Sequence, residues 1–254
     1  MNVLQSTVGQ QPPPAMRLAQ VCHVYGARET AVTALKEVTW DFSPGTFTAV
    51  MGPSGSGKTT FLQCAAGLLE PTSGSVSLGP HQLNGMSEKK LATVRRELVG
   101  FVFQAFNLMP ALTAAENIAL PLRLARRGAD QAWMNELAKR AGIADRLSHR
   151  PHELSGGQQQ RVAICRALIT KPQVLCADEP TGALDKAASR AVLSLLREAV
   201  TELGQTVIMV THDPIAAASA DQVLFLVDGR IIDVMDAPDP ERVAATMTRL
   251  AGEE

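Results

Sequence analysis

The feature that most limits what this chain can become is the nonapeptide Gly52-Pro53-Ser54-Gly55-Ser56-Gly57-Lys58-Thr59-Thr60, set directly after a compact apolar run at residues 46–51. It fits the pattern G-x-x-x-x-G-K-[ST], which carries a physical mechanism. Glycines let the backbone wrap so that successive N–H groups aim at one set of phosphate oxygens. A helical pattern follows at residues 59–67. A helix starting at such a loop adds the positive end of its dipole. Lys58 is then expected to reach the β- and γ-phosphates of a nucleotide, and the Thr59 hydroxyl to bind Mg²⁺. Average composition yields the pattern by chance in roughly one chain of this length in a hundred. With a strand before it and a helix after it, a glycine turn without a ligand is the weaker reading.

A second segment, Val174-Leu175-Cys176-Ala177-Asp178-Glu179-Pro180, is an apolar strand at residues 174–177 ending in two carboxylates. The first is placed to hold Mg²⁺ through its waters. The second is placed to orient or deprotonate a water for in-line attack on a γ-phosphate. Alone, two acids after a strand could equally be helix caps; beside a phosphate loop the catalytic reading is stronger. A third segment, Leu154-Ser155-Gly156-Gly157-Gln158, precedes a helical run. Its glycines are expected to free the backbone, and Ser155 offers a hydroxyl, giving a second anion-binding helix start. A chain that already owns one phosphate cradle has an obvious use for another only if it serves the nucleotide of a partner copy.

Around these segments the pattern alternates. Residues 32–42 and 99–104 read as strands, residues 71–85 as turns and short edge strands, and a helix begins after Ser87. Residues 111–168 are dominated by helical periodicity broken at Gly128, Gly142 and Pro151. A helix at 187–203, a strand at 207–211 and a hairpin (223–227, 231–234) turned at Asp228-Gly229 follow. Short buried strands alternating with helices imply a largely parallel sheet, with a helical block inserted in it. Residues 1–15 are polar, end in Pro12-Pro13-Pro14 and read as a disordered leader.

Composition removes other classes. With 24 basic and 25 acidic residues, the balance is wrong for electrostatic nucleic-acid binding, and 4% aromatics leave little to stack bases on. No apolar stretch approaches the roughly 20 residues needed to span a bilayer, and no signal peptide is visible. Cys22, Cys64, Cys165 and Cys176 fit neither a zinc site nor a disulfide framework and read as small apolar residues in a reducing compartment, so a cytoplasmic location is expected.

Together the three segments resemble the ATPases of ABC transporters, whose defining sequence is LSGGQ; that pentapeptide arises by chance in on the order of one such chain in several thousand. The resemblance covers about residues 17 to 235. It implies a P-loop NTPase core with an antiparallel β subdomain and an α-helical subdomain at about residues 105–165, all within an ATPase domain at 16–254. It also implies a cofactor set of ATP and Mg²⁺. By resemblance, Tyr25 stacks on adenine, and Gln104 senses Mg²⁺, the attacking water and the membrane partner. Asp185 in Gly182-Ala183-Leu184-Asp185 lies in a loop that crosses a dimer interface, and His212 contacts the γ-phosphate. Two chains are expected to pack head to tail as a homodimer. Each ATP would then touch Lys58 and Thr59 of one chain and Ser155, Gly156, Gly157 and Gln158 of the other. Each residue also has a plainer reading: a lone tyrosine is usually core, Gln104 a strand-end cap, His212 a buried structural imidazole. His23, His81, His149 and His152 read as surface or capping residues, and Arg123, Arg126 and Arg127 as a solvated helix face.

The run from Phe101 through Gln104 to Pro110 and Thr113, with Glu116-Asn117, Leu120-Pro121-Leu122 and His149-Arg150-Pro151-His152, is similar to one branch, the lipoprotein-release, macrolide-efflux and cell-division ATPases. That implies an export or mechanotransmission role, a transmembrane permease with a large extracytoplasmic domain as partner, and a peripheral position on the inner face of the cell membrane. Amino-acid importer ATPases share parts of the pattern and are the alternative; a soluble ABC protein is a further one. Cys165 stands where the family usually has Ala, and Cys176 lies in the Asp178-Glu179 strand; both are small enough to pack.

Overall fold

The computed structural model describes residues 12–27 and 30–251. Strands β1 (Met16–Tyr25) and β2 (Val32–Phe42) form an antiparallel pair. Next come β3 (Phe47–Met51), α1 (Lys58–Ala65), β4 (Ser73–Leu78), the two-residue β5 (His81–Gln82), α2 (Glu88–Leu98) and β6 (Val99–Val102). The helical block holds α3 (Ala114–Leu124), α4 (Gln131–Arg140) and α5 (Gly156–Leu168). The alternation resumes with β7 (Val174–Asp178), α6 (Lys186–Thr201), β8 (Thr206–Val210) and α7 (Pro214–Ala217). It closes with β9 (Gln222–Val227), β10 (Arg230–Asp236) and α8 (Pro240–Ala251).

The strands form two sheets. One is antiparallel, in the order β2-β1-β4-β5; the other has six strands, β10-β9-β3-β8-β7-β6. In the second, β9, β3, β8, β7 and β6 run parallel and β10 closes the edge as an antiparallel hairpin. The hairpin turn uses Asp228 and Gly229, at φ 47° and 76°. Positive φ at both positions matches the twist of the flanking strands, as a D-G pair favours.

Side chains alternate across a strand with period two, and here both faces are covered. Phe47, Ala49 and Met51 of β3, with Leu175, Val207, Met209 and Phe225, face a core closed by helices α3 to α6. Val50, Val174, Cys176, Ile208 and Leu224 face the opposite core, closed by Phe61 and Leu62 of α1 and by Leu18, Leu35 and Phe42 of the antiparallel sheet. Helix α1 is thus clamped between two sheets, which fixes where the loop preceding it lies.

Most expected elements lie within two or three residues of those found. Three were not read from the sequence: β1, whose polar and apolar residues mix, the one-turn α7, and α8, which packs Val243 and Leu250 inward. The expected leader needs a correction at its end. Ala15 is 1% exposed, its N–H donates to Phe42 O at 2.8 Å and its carbonyl accepts from Gly79 N at 2.9 Å. It is therefore anchored against the antiparallel sheet, immediately before β1. Residues 1–11 lie outside the described residues.

Candidate nucleotide-binding site

Four adjacent strands of the parallel sheet end on one rim, and each delivers one expected element. The phosphate loop follows β3, His212 follows β8, Asp178 and Glu179 close β7, and Gln104 follows β6. In open α/β sheets the carboxyl ends of the strands are where ligands bind.

The loop is shaped by close backbone approach at two glycines. A Cβ on Gly52 would sit 1.9 Å from Leu226 O; one on Gly57, at φ 98°, would sit 2.3 Å from Ala34 O. Only glycine fits either position. The Ser56 carbonyl accepts from Gly229 N at 3.0 Å, tying the loop to the β9–β10 turn. Gly57 caps α1 with no side-chain bond and no acid lies in the first turn, so side chains do not compete for the amides there. Ser54, Gly55 and Thr59 are exposed. Lys58 lies half-buried over the loop, its Nζ donating to Gly52 O at 2.9 Å and Pro53 O at 2.7 Å. Burial pulls its pKa down, opposed by Glu179 and Asp178 nearby. Asp178 in turn has its carboxyl pushed up by burial and by Glu179, with Lys58 opposing.

Glu179 adopts φ 45°, in the left-handed region. For a non-glycine residue that costs about 1–2 kcal/mol, and such strain persists only where the surroundings over-determine it. Here Glu179 N donates to Val210 O at 2.9 Å and its carbonyl accepts from Gly182 N at 3.1 Å. The side chain meets His212, whose Nδ1 lies 3.0 Å from Oε1. The His212 side chain is 66% exposed, which excludes the buried structural reading. Gln104 comes to the same place: a Cβ on Gly182 would stand 2.9 Å from Gln104 Nε2 and 3.2 Å from Glu179 Oε2. A cavity of about 590 Å³ opens beside Glu179, Gly182 and His212. The segment after Gln104 is pinned from behind. Buried Asn117 accepts from Met109 N at 2.7 Å and donates to the carbonyls of Leu112 and Thr113, while Arg166 donates to Phe106 O at 2.8 Å.

Tyr25 ends β1 and is 43% exposed; its hydroxyl lies 3.2 Å from Thr60 Oγ1, which places the ring beside the phosphate loop. It is not a core residue. Under it His23, expected at the surface, is 8% exposed and packs edge to face on Tyr25 at 4.6 Å between ring centroids. Across the strand pair Val32 faces Tyr25 and is 63% exposed, adding an apolar neighbour that sequence reading did not single out.

The LSGGQ turn is elsewhere on the chain. Ser155 caps α5: its hydroxyl accepts from Gln158 N at 3.3 Å, and Gln158 Oε1 accepts from Ser155 N at 2.9 Å. This reciprocal box satisfies two orphan donors. The turn's neighbours are Phe106, Leu184 and Ala188, none of them in the phosphate loop. The expected reason for its glycines needs correction, since neither Gly156 nor Gly157 has positive φ. Gly157 instead lets α5 approach α6, because a Cβ there would stand 2.7 Å from Ala188 Cβ. Asp185 is an exposed cap of α6, accepting from Ala187 N and Ala188 N, both at 2.8 Å.

A family model described as ABC transporter matches residues 35–182, more than half of the chain. The chain belongs to the ABC transporter family. A Methanocaldococcus jannaschii protein named as an uncharacterized ABC transporter ATP-binding protein is 43% identical over 85% of this chain and 97% of its own length. The macrolide export ATP-binding/permease protein MacB of Burkholderia pseudomallei is 44% identical over 86% of this chain, which spans 34% of that longer protein. Among solved structures, a dimeric ATP-binding cassette in a post-hydrolysis state with ADP and Pi superposes with a TM-score of 0.80 at 39% identity. That match covers 88% of this chain and 99% of the other. The fold is that of an ABC cassette, and the chain is an ABC-type ATPase that binds ATP.

The site's donors suit Mg²⁺. Thr59 Oγ, Asp178 and the Gln104 side-chain oxygen are hard oxygen donors, few in number, which would fit an ion that keeps waters and phosphate oxygens. Among the described residues no group of three or more His, Cys, Asp or Glu side chains could hold a metal by itself.

Proposed function

We propose that this ATPase works as a head-to-tail pair and drives a separate transmembrane permease of the export or mechanotransmission kind. The observation that carries the catalytic half is the convergence of Lys58, Asp178, Glu179, Gln104 and His212 on one rim of the parallel sheet. The phosphate loop holds the nucleotide, with Lys58 leaving its two carbonyl acceptors for the β- and γ-phosphates. Thr59, Asp178 and Gln104 hold Mg²⁺, which neutralises phosphate charge when bound. Glu179 takes the proton of the attacking water, oriented by His212 and Gln104. Tyr25 receives the adenine.

The LSGGQ turn supports the pairing. It is an exposed helix start, remote in contacts from its own phosphate loop, and suits the γ-phosphate of a second copy. Twofold packing would repeat that contact and bury two nucleotides. Ser155, Gly156, Gly157 and Gln158 would grip from one side, Lys58 and Thr59 from the other, with Asp185 at the seam. The dimeric cassette with ADP and Pi and the fused ATP-binding/permease relative support this assembly. No helix among the described residues is long and apolar enough to cross a membrane, which suits a peripheral subunit on the inner face. The segment from Gln104 to Pro110, with Met109 half-exposed, is the docking place for the permease.

Glu179→Gln tests the centre of this reading. Gel filtration with ATP should show a stable dimer while turnover drops by about two decades or more, in line with lost general-base assistance. A variant that stays monomeric and turns over like the parent would refute it.

A further inference from the structure

One fully buried polar side chain joins three elements of the site. Gln160 lies on α5, five residues beyond Ser155, and is 0% exposed. Its Nε2 donates to Pro180 O at 2.7 Å and reaches Phe103 O at 3.5 Å. Phe103 immediately precedes Gln104, and Pro180 immediately follows Glu179. Both neighbours are carbonyls, which only accept, so the amide orientation is fixed with the NH₂ toward them. The other end, Oε1, is buried and has no protein partner. A buried amide left half-satisfied carries a desolvation cost, so a packing role alone accounts poorly for glutamine at this position.

We propose that Gln160 is a positioning residue that makes the placement of Glu179 depend on the seating of α5. The inference rests on Glu179 being the catalytic carboxylate. Glu179 is held in a left-handed conformation by bonds on either side of it, and the Gln160 bond to Pro180 O secures the peptide that follows. The same amide touches the carbonyl just before Gln104, so the two loops that flank the attacking water share one anchor. That anchor stands on the helix whose first turn is Ser155. A shift of α5 when Ser155 engages a partner's nucleotide therefore changes the hydrogen bonds behind Glu179 and Gln104 directly. No route through the sheet is needed. The unpartnered Oε1 leaves the amide free to exchange neighbours as α5 moves, whereas a fully satisfied amide would resist.

The test uses Gln160→Met, which keeps length and apolar volume, and Gln160→Glu, which keeps shape. In Q160M, ATP affinity by calorimetry should stay within about threefold of the parent while kcat falls about tenfold or more, a loss of roughly 1.4 kcal/mol in the barrier term. In Q160E the carboxylate faces two carbonyls and is repelled. Burial raises its pKa, and the protonated form donates as the amide did. The kcat of Q160E relative to the parent should therefore rise as pH falls, while that of Q160M stays flat. In an E179Q background, Q160M should slow turnover no further, because both act through one group. Proportional loss of affinity and kcat, a flat Q160E ratio, or full multiplication of the Q160M and E179Q effects each overturns the proposal. Parent-like turnover in E179Q itself would instead sink the general-base assignment, so the two failures are distinct.

Discussion

The close approach of α5 to α6 at Gly157 gives a number that can be checked. A methyl added there meets the Ala188 methyl at 2.7 Å, about an ångström inside the 3.5–4.0 Å optimum for carbon pairs. Forcing such a contact costs about 1–3 kcal/mol. Replacing glycine by alanine inside a helix returns up to about 1 kcal/mol, and less than that in the first turn. The overpacking term wins, so G157A should lose about 0.5–2 kcal/mol. At about 2–4 °C per kcal/mol for a domain of this size, Tm should drop by about 1–8 °C. Ala188→Gly removes the opposing methyl. Alone it should cost up to about 1 kcal/mol of α6 stability, yet in the double variant it should relieve the clash and show favourable coupling of about 1–3 kcal/mol. Urea and thermal unfolding of the four proteins decide the matter. If G157A melts with the parent, or A188G gives no relief, the packing explanation of this glycine is wrong.

Two further outcomes follow from buried ionisable groups. Burial pushes the Cys64, Cys165 and Cys176 thiols up to about 12, so at pH 8 only about one in ten thousand of each is thiolate. One fast equivalent, the partly exposed Cys22, should therefore react with a thiol reagent in the native protein and four after denaturation; a second fast native equivalent would contradict the burial. Asp178 has its carboxyl raised on folding, so folding favours the protonated form: its stabilising contribution is complete below the unfolded pKa and is lost as pH rises through the folded one. D178N, a neutral isostere, should then melt higher than the nucleotide-free parent at pH 8, with the gap closing toward pH 4, while losing turnover. A lower Tm for D178N at pH 8 would show that Lys58 holds Asp178 more strongly than burial opposes it.

The ends of the strands were legible from residues alone because each site element sits where a short, near-continuous apolar run stops. The runs before Gly52, Asp178, Gln104 and His212 mark four buried strands, and the chemistry begins where each run ends. The glycines at 52 and 57 were legible as loop formers, though not the backbone carbonyls of Leu226 and Ala34 that require them. β1 was missed because an irregularity around Gln20, at φ 51°, shifts its register and interrupts the alternation of buried and exposed residues. His23 was misread because its burial comes from Tyr25 and Glu70, the latter 47 positions away.

What the sequence by itself determined is the set of local structures whose causes lie within a few residues: the phosphate loop, the α5 capping box, the D-G hairpin and the acidic strand end. Tertiary structure alone decided which of them meet. The order β3-β8-β7-β6 puts four elements separated by up to 160 residues on one rim. It also seats Gln160 between two loops that no spacing rule connects. Strand order is set by how both faces of a sheet are buried at once, a condition on the whole chain that no short window contains.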